Sequence, residues 1–562
     1  MSVSTAVSDE ATERRPQVTA TIDRVVAGVR VPRLARPPAA VWFATALFGL
    51  VAALWTVAVP PMRAPDEPAH VDLILYLAEG HPYPGYDQRY FGEALELDSK
   101  RYLEDSRFRW PTFDASEAVP RDQRSDVADL GGTAPDEEAY PPNLSRPDFP
   151  RAYNQMPQHP PLYYEAMAAL LRVERWLLPG HGLPSLDREL GLLRLANVAL
   201  VLPLPLLAWA GVRRIGGSDR AGTVAALLPL GLPQLLHIVA SVNNDNLLIP
   251  LGGVLAVLLA GVARGLRAWR TDLAVAVVLG LALLTKAFAV MFVPGIVVAY
   301  ALCAWTTGRR RPAAVGLVRV GVVSAVLGGW WWIGNLVREG QVAPTTETLT
   351  RVEGDRPPDF HPDMIRFVWT FSGRMVARTW AWIGYRNPKF ELPVLVVVAA
   401  LAVVVVASAV AAMRARPGPS PAGGPRRADI AFAWLAVGLL GTFVARRAWG
   451  LYETTGTYAF IQGRYLYSAL VGPMAVVALG LAALLRRRAV AVTLAAVLTL
   501  QAWVVLEVVT GSWSGPGMFG PIRGMLAWSP WPPTLVIATA LLAAAAAAGT
   551  VRGLGSRAAR AK

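Results

Sequence analysis

Apolar residues come in runs of roughly 20, enough for a helix to cross about 30 Å of hydrocarbon. Short Arg-containing stretches separate the runs. The pattern predicts membrane-spanning helices over 39–59, 191–212, 221–239, 246–264, 272–286, 288–305, 316–335, 391–413, 429–446, 465–485, 489–510 and 533–550. One stretch, 161–178, is mixed: it opens Pro161-Leu162-Tyr163-Tyr164 but carries Glu165, Arg172, Glu174 and Arg175. If it crossed, Arg213/Arg214, Arg264/Arg267/Arg270, Arg309–Arg311 and Arg486–Arg488 would face outward, against the tendency of Lys and Arg to stay on the cytoplasmic side. As an amphipathic helix on the outer surface, it leaves all of these inside, together with Arg414, Arg416, Arg426 and Arg427. The expected fold is therefore an all-α polytopic membrane protein of about 12 transmembrane helices, with both termini cytoplasmic and a long first outer loop carrying surface helices.

Residues 1–38 are expected to be a retained, Arg-containing cytoplasmic tail, because no short apolar core with a small-residue cleavage site precedes the first span. Residues 39–550 form the multi-pass domain, and 551–562 a basic cytoplasmic tail. The outer loops are 60–190, 336–390, and the shorter 240–245, 448–464 and 511–532. Pro417–Pro425 reads as a cytoplasmic linker.

Composition agrees. The mean hydropathy is +0.38, 54% of residues are hydrophobic and 17% charged, outside the usual range of soluble domains. The net charge of +14 is unevenly placed: from Pro60 to Pro160 there are 19 Asp/Glu and 10 Lys/Arg, giving −9 and leaving about +23 elsewhere. Excess positive charge in short inner loops is a topology signal and not a nucleic-acid footprint. The single cysteine, Cys303, excludes an internal disulfide and a Cys-based metal site. There is no P-loop, dinucleotide fingerprint, zinc spacing or serine nucleophile elbow, nor an internal repeat of the kind transporters carry.

Polar residues at the outer ends of the spans are the candidates for chemistry. Ala64-Pro65-Asp66-Glu67-Pro68-Ala69-His70 follows the first span directly. Two carboxylates and an imidazole at the membrane edge are costly unless paired, hydrated or used. One acid suits a general base or metal ligand, with the other supporting it; a solvated helix end is the plainer reading. Asn154-Gln155-Met156-Pro157-Gln158-His159 runs into the Tyr163-Tyr164 pair, where His159 and Tyr163 either line a substrate entrance or mark a helix start with interfacial rings. Ser241-Val242-Asn243-Asn244-Asp245-Asn246 places Asn244 and Asp245 on the same side, as a sugar- or metal-binding cluster or an ordinary turn. Lys286, in Leu284-Thr285-Lys286, either binds an anion or snorkels to headgroups. Gln462-Gly463-Arg464-Tyr465 offers a guanidinium suited to phosphate beside a glycine that permits close backbone approach. Arg374 and Arg378, among Trp369, Trp380 and Trp382, read first as an interfacial amphipathic helix.

Together these motifs resemble the GT-C superfamily of membrane glycosyltransferases, and more narrowly a family of bacterial multi-pass proteins carrying the Pro-Asp-Glu-Pro-x-His pattern after the first span. The resemblance spans about residues 40–510. It implies a polyprenyl-phosphate sugar donor used on the outer face of the bacterial plasma membrane, and a cell-envelope glycan, lipid or protein acceptor. It implies that Asp66 or Glu67 is the catalytic acid, activating the acceptor hydroxyl or, with Asp245, holding a divalent ion such as Mg2+ or Mn2+. Lys286 and Arg464 would contact the donor phosphate, with His70, His159, Tyr163, Asn244, Asp245 and Tyr465 completing the substrate site. An inverting glycosyltransferase is thus the leading expectation. The alternatives are a transporter or flippase of a lipid-linked precursor and an envelope scaffold. A transporter should hold its polar groups near the bilayer midplane.

Overall fold

The computed structural model describes residues 36–89, 154–177, 186–345, 359–380, 393–416, 424–513 and 515–560, with only the backbone described over 554–560. The expected tail up to residue 35, residues 90–153 of the acidic loop, parts of the 336–390 loop and most of the 417–425 linker lie outside them.

The described chain is α-helical; its only β-type pairing is an isolated bridge between Arg416 and Arg426. The helices are α1 (Ala39–Ala58), α2 (Glu67–Ala78), α3 (Leu162–Leu177), α4 (Leu186–Val201), α5 (Leu204–Arg214), α6 (Asp219–Leu227), α7 (Pro233–Val239), α8 (Asp245–Ala263), α9 (Trp269–Leu283) and α10 (Phe292–Thr307). They continue as α11 (Arg310–Ser324), α12 (Trp330–Glu339), α13 (Met364–Trp380), α14 (Val394–Arg414), α15 (Arg427–Thr455), α16 (Val471–Leu485), α17 (Ala489–Ser512), α18 (Gly520–Trp528) and α19 (Pro533–Arg560).

Among the described residues, nine helical stretches are long and apolar enough to cross a membrane, or ten if a bent pair is counted. This differs from the twelve crossings expected, and the reasons are local. Helix α9 has 15 residues, which at about 1.5 Å per residue fall short of the roughly 30 Å of hydrocarbon. Residues 219–239 are bent by 74° at the Leu232–Pro233 junction, where proline cannot donate the helical hydrogen bond. The stretch Val471–Ser512 is apolar throughout but turns at Arg486, whose φ is +50°. Trp513, at one end, donates from Nε1 to the Ala58 carbonyl at 2.8 Å. Arg464, near the other end, reaches the Pro65 carbonyl at 3.3 Å. Both ends therefore lie beside the 58–66 corner, and α16 and α17 form a hairpin.

Helix α3 is not among the candidate spans. It packs on α2 through Tyr164, Met167, Ala168 and Leu171, all buried with the α2 core, and leaves Trp176 and Leu177 exposed. Helix α13 likewise exposes Ile365 and Trp369, while Arg374 lies over the Tyr458 ring at 4.9 Å.

Ion pairs divide the molecule into two ends. At one end Asp429 receives Arg264 at 2.8 Å and Arg426 at 2.7 Å, and fully buried Asp272 receives Arg267 at 2.6 Å and Arg319 at 2.8 Å. Arg264, Arg267 and Arg426 come from the arginine loops predicted to face the cytoplasm, and Arg319 from within α11. The acids and cations singled out as candidate chemistry collect at the opposite end. Two close approaches shape that end. A Cβ on Gly252 of α8 would collide with the Ser468 carbonyl, and one on Gly463 with the backbone of Arg378 and Thr379. Only glycine lets the 463–469 turn seat between α8 and α13.

Candidate active site

Helix α1 ends where Pro60 and Pro61 follow Val59, and the chain turns sharply before α2. Asp66 stands at the corner with φ +61° and ψ +6°, a left-handed conformation in which Asp and Asn are enriched among non-glycine residues. From there its carboxylate pairs with the Arg464 guanidinium. Arg464 also donates to the Pro65 carbonyl at 3.3 Å, and its Nε lies 3.8 Å from Asp245 Oδ2. The other Asp245 oxygen accepts from Lys286 Nζ at 2.7 Å, and Lys286 donates to Asn244 Oδ1 at 3.2 Å. The Lys286 ammonium lies 5.5 Å from the ring centres of both Phe288 and Tyr465. Four motifs separated by up to about 400 residues thus meet in one chain of ion pairs: Asp66, Arg464, Asp245, Lys286. Lys286, Asp245 and Arg464 are buried, while 16% of the Asp66 side chain remains accessible.

A second layer surrounds this chain. The Tyr164 hydroxyl pairs with His70 Nδ1 at 3.0 Å and accepts from Asn244 Nδ2 at 3.4 Å, and its ring stacks on His70. His159 is half-buried, and its carbonyl accepts from the Tyr83 hydroxyl at 2.8 Å. Burial pushes both imidazoles well below their usual range, with Lys286 adding to the effect, so both are neutral near pH 7. For Asp66 burial works in the raising direction, but Arg464 outweighs it and holds the carboxyl below the ordinary carboxylate range.

The structure separates two expected site residues, Glu67 and Tyr163, from this chain. Glu67, next to Asp66, points away from Arg464. Fully buried, it is gripped by Arg194 through two bonds of 2.8 and 2.6 Å and accepts from the Val242 N–H at 3.1 Å. Tyr163 is also fully buried and donates to Asn197 Oδ1 at 2.9 Å, so it braces α3 against α4 instead of lining an entrance. Successive helical residues point about 100° apart, which is why Tyr164 and not Tyr163 reaches the cluster. The proposed two-acid metal site does not fit the donor set: Arg464 and Lys286 already neutralise Asp66 and Asp245. Among the described residues no group of three His, Cys, Asp or Glu is placed to hold a metal ion.

Sequence reasoning missed Arg194 and Asn197. Both lie in the apolar pattern of α4, and an ionisable residue within such a run is itself the signal that finds it. It also missed Asp72, which receives Arg89 at 3.0 and 2.8 Å and Asn154 at 2.6 Å, all buried. That cluster ties the described ends of the acidic loop to α2.

Residues 187–332 match the family described as dolichyl-phosphate-mannose-protein mannosyltransferase. The match covers about a quarter of the chain. The matched part holds Arg194, Asn244, Asp245 and Lys286, while Asp66 and Arg464 lie outside it. No curated protein matches in sequence. Among solved structures, ArnT from Cupriavidus metallidurans bound to undecaprenyl phosphate aligns at 14% identity over 90% of this chain and 77% of its own, with a TM-score of 0.44. The Archaeoglobus fulgidus oligosaccharyltransferase, tethered with an acceptor peptide, aligns at 13% identity over 90% of this chain and 55% of its own, with a TM-score of 0.37. The chain thus spans about half the length of the archaeal enzyme.

Proposed function

We propose that this chain is an inverting glycosyltransferase that uses a polyprenyl-phosphate sugar on the outer face of the plasma membrane. The observation that carries the reading is the convergence of Asp66, Arg464, Asp245 and Lys286 at the end of the bundle opposite the arginine loops. The positive-inside tendency makes that end the outer one. The family description names a dolichyl-phosphate-linked sugar, a donor with an anionic head and an isoprenoid tail. For the tail, an apolar groove runs between α8, α10, α15 and α16, from Ser468 on the site side to Asp429 at the basic end.

In this reading Lys286 and Arg464 hold the donor phosphate. The acceptor hydroxyl attacks the anomeric carbon from the face opposite the phosphate. As the new C–O bond forms, the bond from the anomeric carbon to the phosphate oxygen breaks, and the two cations stabilise the departing charge. The hydroxyl proton passes to Asp66 as general base. Once Arg464 turns to the phosphate, Asp66 loses its main stabilising charge and becomes a stronger base. Asn244 and His159 border the sugar. The acceptor is an envelope glycan, lipid or protein bearing a free hydroxyl, and no step requires a metal ion.

The test is transfer by the purified protein from polyprenyl-phosphate sugars, comparing wild type with Asp66→Asn. Asparagine tolerates the same left-handed backbone, so loss of transfer in a folded variant is the expected result. Full transfer by Asp66→Asn removes the assigned base. Movement of the lipid across vesicles without a covalent product would make the chain a flippase.

A further inference from the structure

Arg194 uses all five of its N–H groups. Nε and Nη2 hold the two oxygens of Glu67 at 2.8 and 2.6 Å. Nη1 donates to the Thr56 and Val59 carbonyls, both at 2.8 Å, and Nη2 also donates to the Pro60 carbonyl at 2.9 Å. Those carbonyls belong to the C-terminal end of α1 and the residues just after it, where a helix leaves acceptors unsatisfied. Glu67 in turn accepts from the Val242 N–H at 3.1 Å. The next residue, Asn243, donates to the Pro65 carbonyl at 3.4 Å and accepts from the Asp245 N–H at 2.9 Å. One buried ion pair therefore joins three things: the end of α1, the corner that bears Asp66, and the loop that bears Asn244 and Asp245. Neither Arg194 nor Glu67 has a polar contact with Arg464 or Lys286 among those that define the site.

We propose that Arg194 and Glu67 are a positioning pair that fixes the spacing between Asp66 and Asp245, so that Arg464 can bridge both carboxylates. The proposal rests on the reading of Asp66 as the working acid. Asp66 is faced by Arg464 from the 463–469 turn, by Lys286 from the end of α9 and by His159 from the segment before α3. A planar five-donor fork is required for this task, since lysine cannot serve a carboxylate and three carbonyls in fixed directions.

The experiment reads the corner without needing turnover. The protonation of Asp66 is followed by infrared difference spectroscopy in lipid nanodiscs, taking wild type minus Asp66→Asn, and repeated in Glu67→Gln and Arg194→Lys backgrounds. In wild type the Asp66 carboxyl titrates below the ordinary carboxylate range. Loosening the pair separates Asp66 from Arg464, and the midpoint moves up by on the order of one unit, the lower end of what an adjacent opposite charge contributes. An unchanged midpoint in both folded variants overturns the proposal. Glu67→Gln keeps the shape of the side chain and its bond to Val242, so it serves if Arg194→Lys does not fold. With undecaprenyl-phosphate mannose as donor, kcat per folded molecule falls while donor KM holds, because the phosphate contacts remain. If the midpoint moves but Asp66→Asn still transfers, the pair stands and the assignment of the base falls. If Asp66→Asn is inactive and both pair variants keep wild-type midpoint and kcat, the assignment stands and the pair falls.

Discussion

Gly463→Ala probes the geometry that places Arg464. A Cβ at this position would lie well under 3.0 Å from the Thr379 nitrogen and the Arg378 carbonyl oxygen, whereas ordinary contact begins at 3.4 Å. Both neighbours are backbone, so no side-chain rotation relieves the clash, and α13 and the 463–469 turn must part by more than 0.4 Å. Overpacking of this kind costs about 1–3 kcal/mol. The displacement falls on the residue immediately before Arg464, whose two carboxylate partners are fixed from elsewhere. Misplacement approaching 1 Å in a site of this kind lowers turnover on the order of ten- to a hundredfold. Gly441→Ala in α15 is the control, because nothing lies within 4 Å of its added methyl and alanine is the better helix former. The assay is thermal unfolding in detergent, followed by tryptophan fluorescence, with sugar transfer measured on the same preparations. If Gly463→Ala matches Gly441→Ala in both stability and transfer, the close approach is absent and the placement of Arg464 argued from it fails.

Lys286→Met leaves a buried Asp245 with only the 3.8 Å approach of Arg464, and should lower unfolding stability by about 3–5 kcal/mol. Adding Asp245→Asn should recover a large part of this, and strict additivity of the two changes in unfolding experiments would deny the coupling. Asp66, whose folded pKa is depressed by Arg464, contributes stability that is present above its unfolded pKa of about 3.9 and lost as pH falls through the folded value. Asp66→Asn should therefore flatten the acid-side loss, and an identical pH dependence of unfolding would count against the pairing. Asp272→Asn removes the shared acceptor of Arg267, Arg319 and Tyr300 at the far end of the bundle. It should cost about 3–5 kcal/mol while leaving transfer per folded molecule unchanged; a fall in turnover without destabilisation would show that the two ends communicate.

Much of the architecture is legible because membrane helices must satisfy their backbone groups within themselves, so apolar run length and loop charge carry most of the information. The candidate polar motifs were visible for the same reason, since each sits at the end of a run where charge is conspicuous. What a single sequence does not carry is which neighbour each charge chooses. Arg194 lies inside an apolar run and Asp272 at the start of one, and each is the centre of a buried network. Tyr163 and Tyr164 are adjacent and chemically identical, and only the roll of α3 against α2 separates a residue bonded to Asn197 from one bonded to His70.

The adjacent acids at the first corner make the same point with more consequence. Composition gives Asp66 and Glu67 equal claims to chemistry. The backbone divides them: Asp66 takes the left-handed conformation and Glu67 is the first residue of α2, so their side chains leave the corner in different directions. One meets a cation that is also within reach of Asp245; the other meets a cation whose remaining donors are all spent on carbonyls. Arg464 can turn from Asp66 to a phosphate without stranding that acid, because Asp66 keeps part of its surface open. Arg194 cannot, because releasing Glu67 would strand a fully buried charge. An acid that must change partners during a reaction has to be the first kind, and a corner that must not move while it does so needs the second.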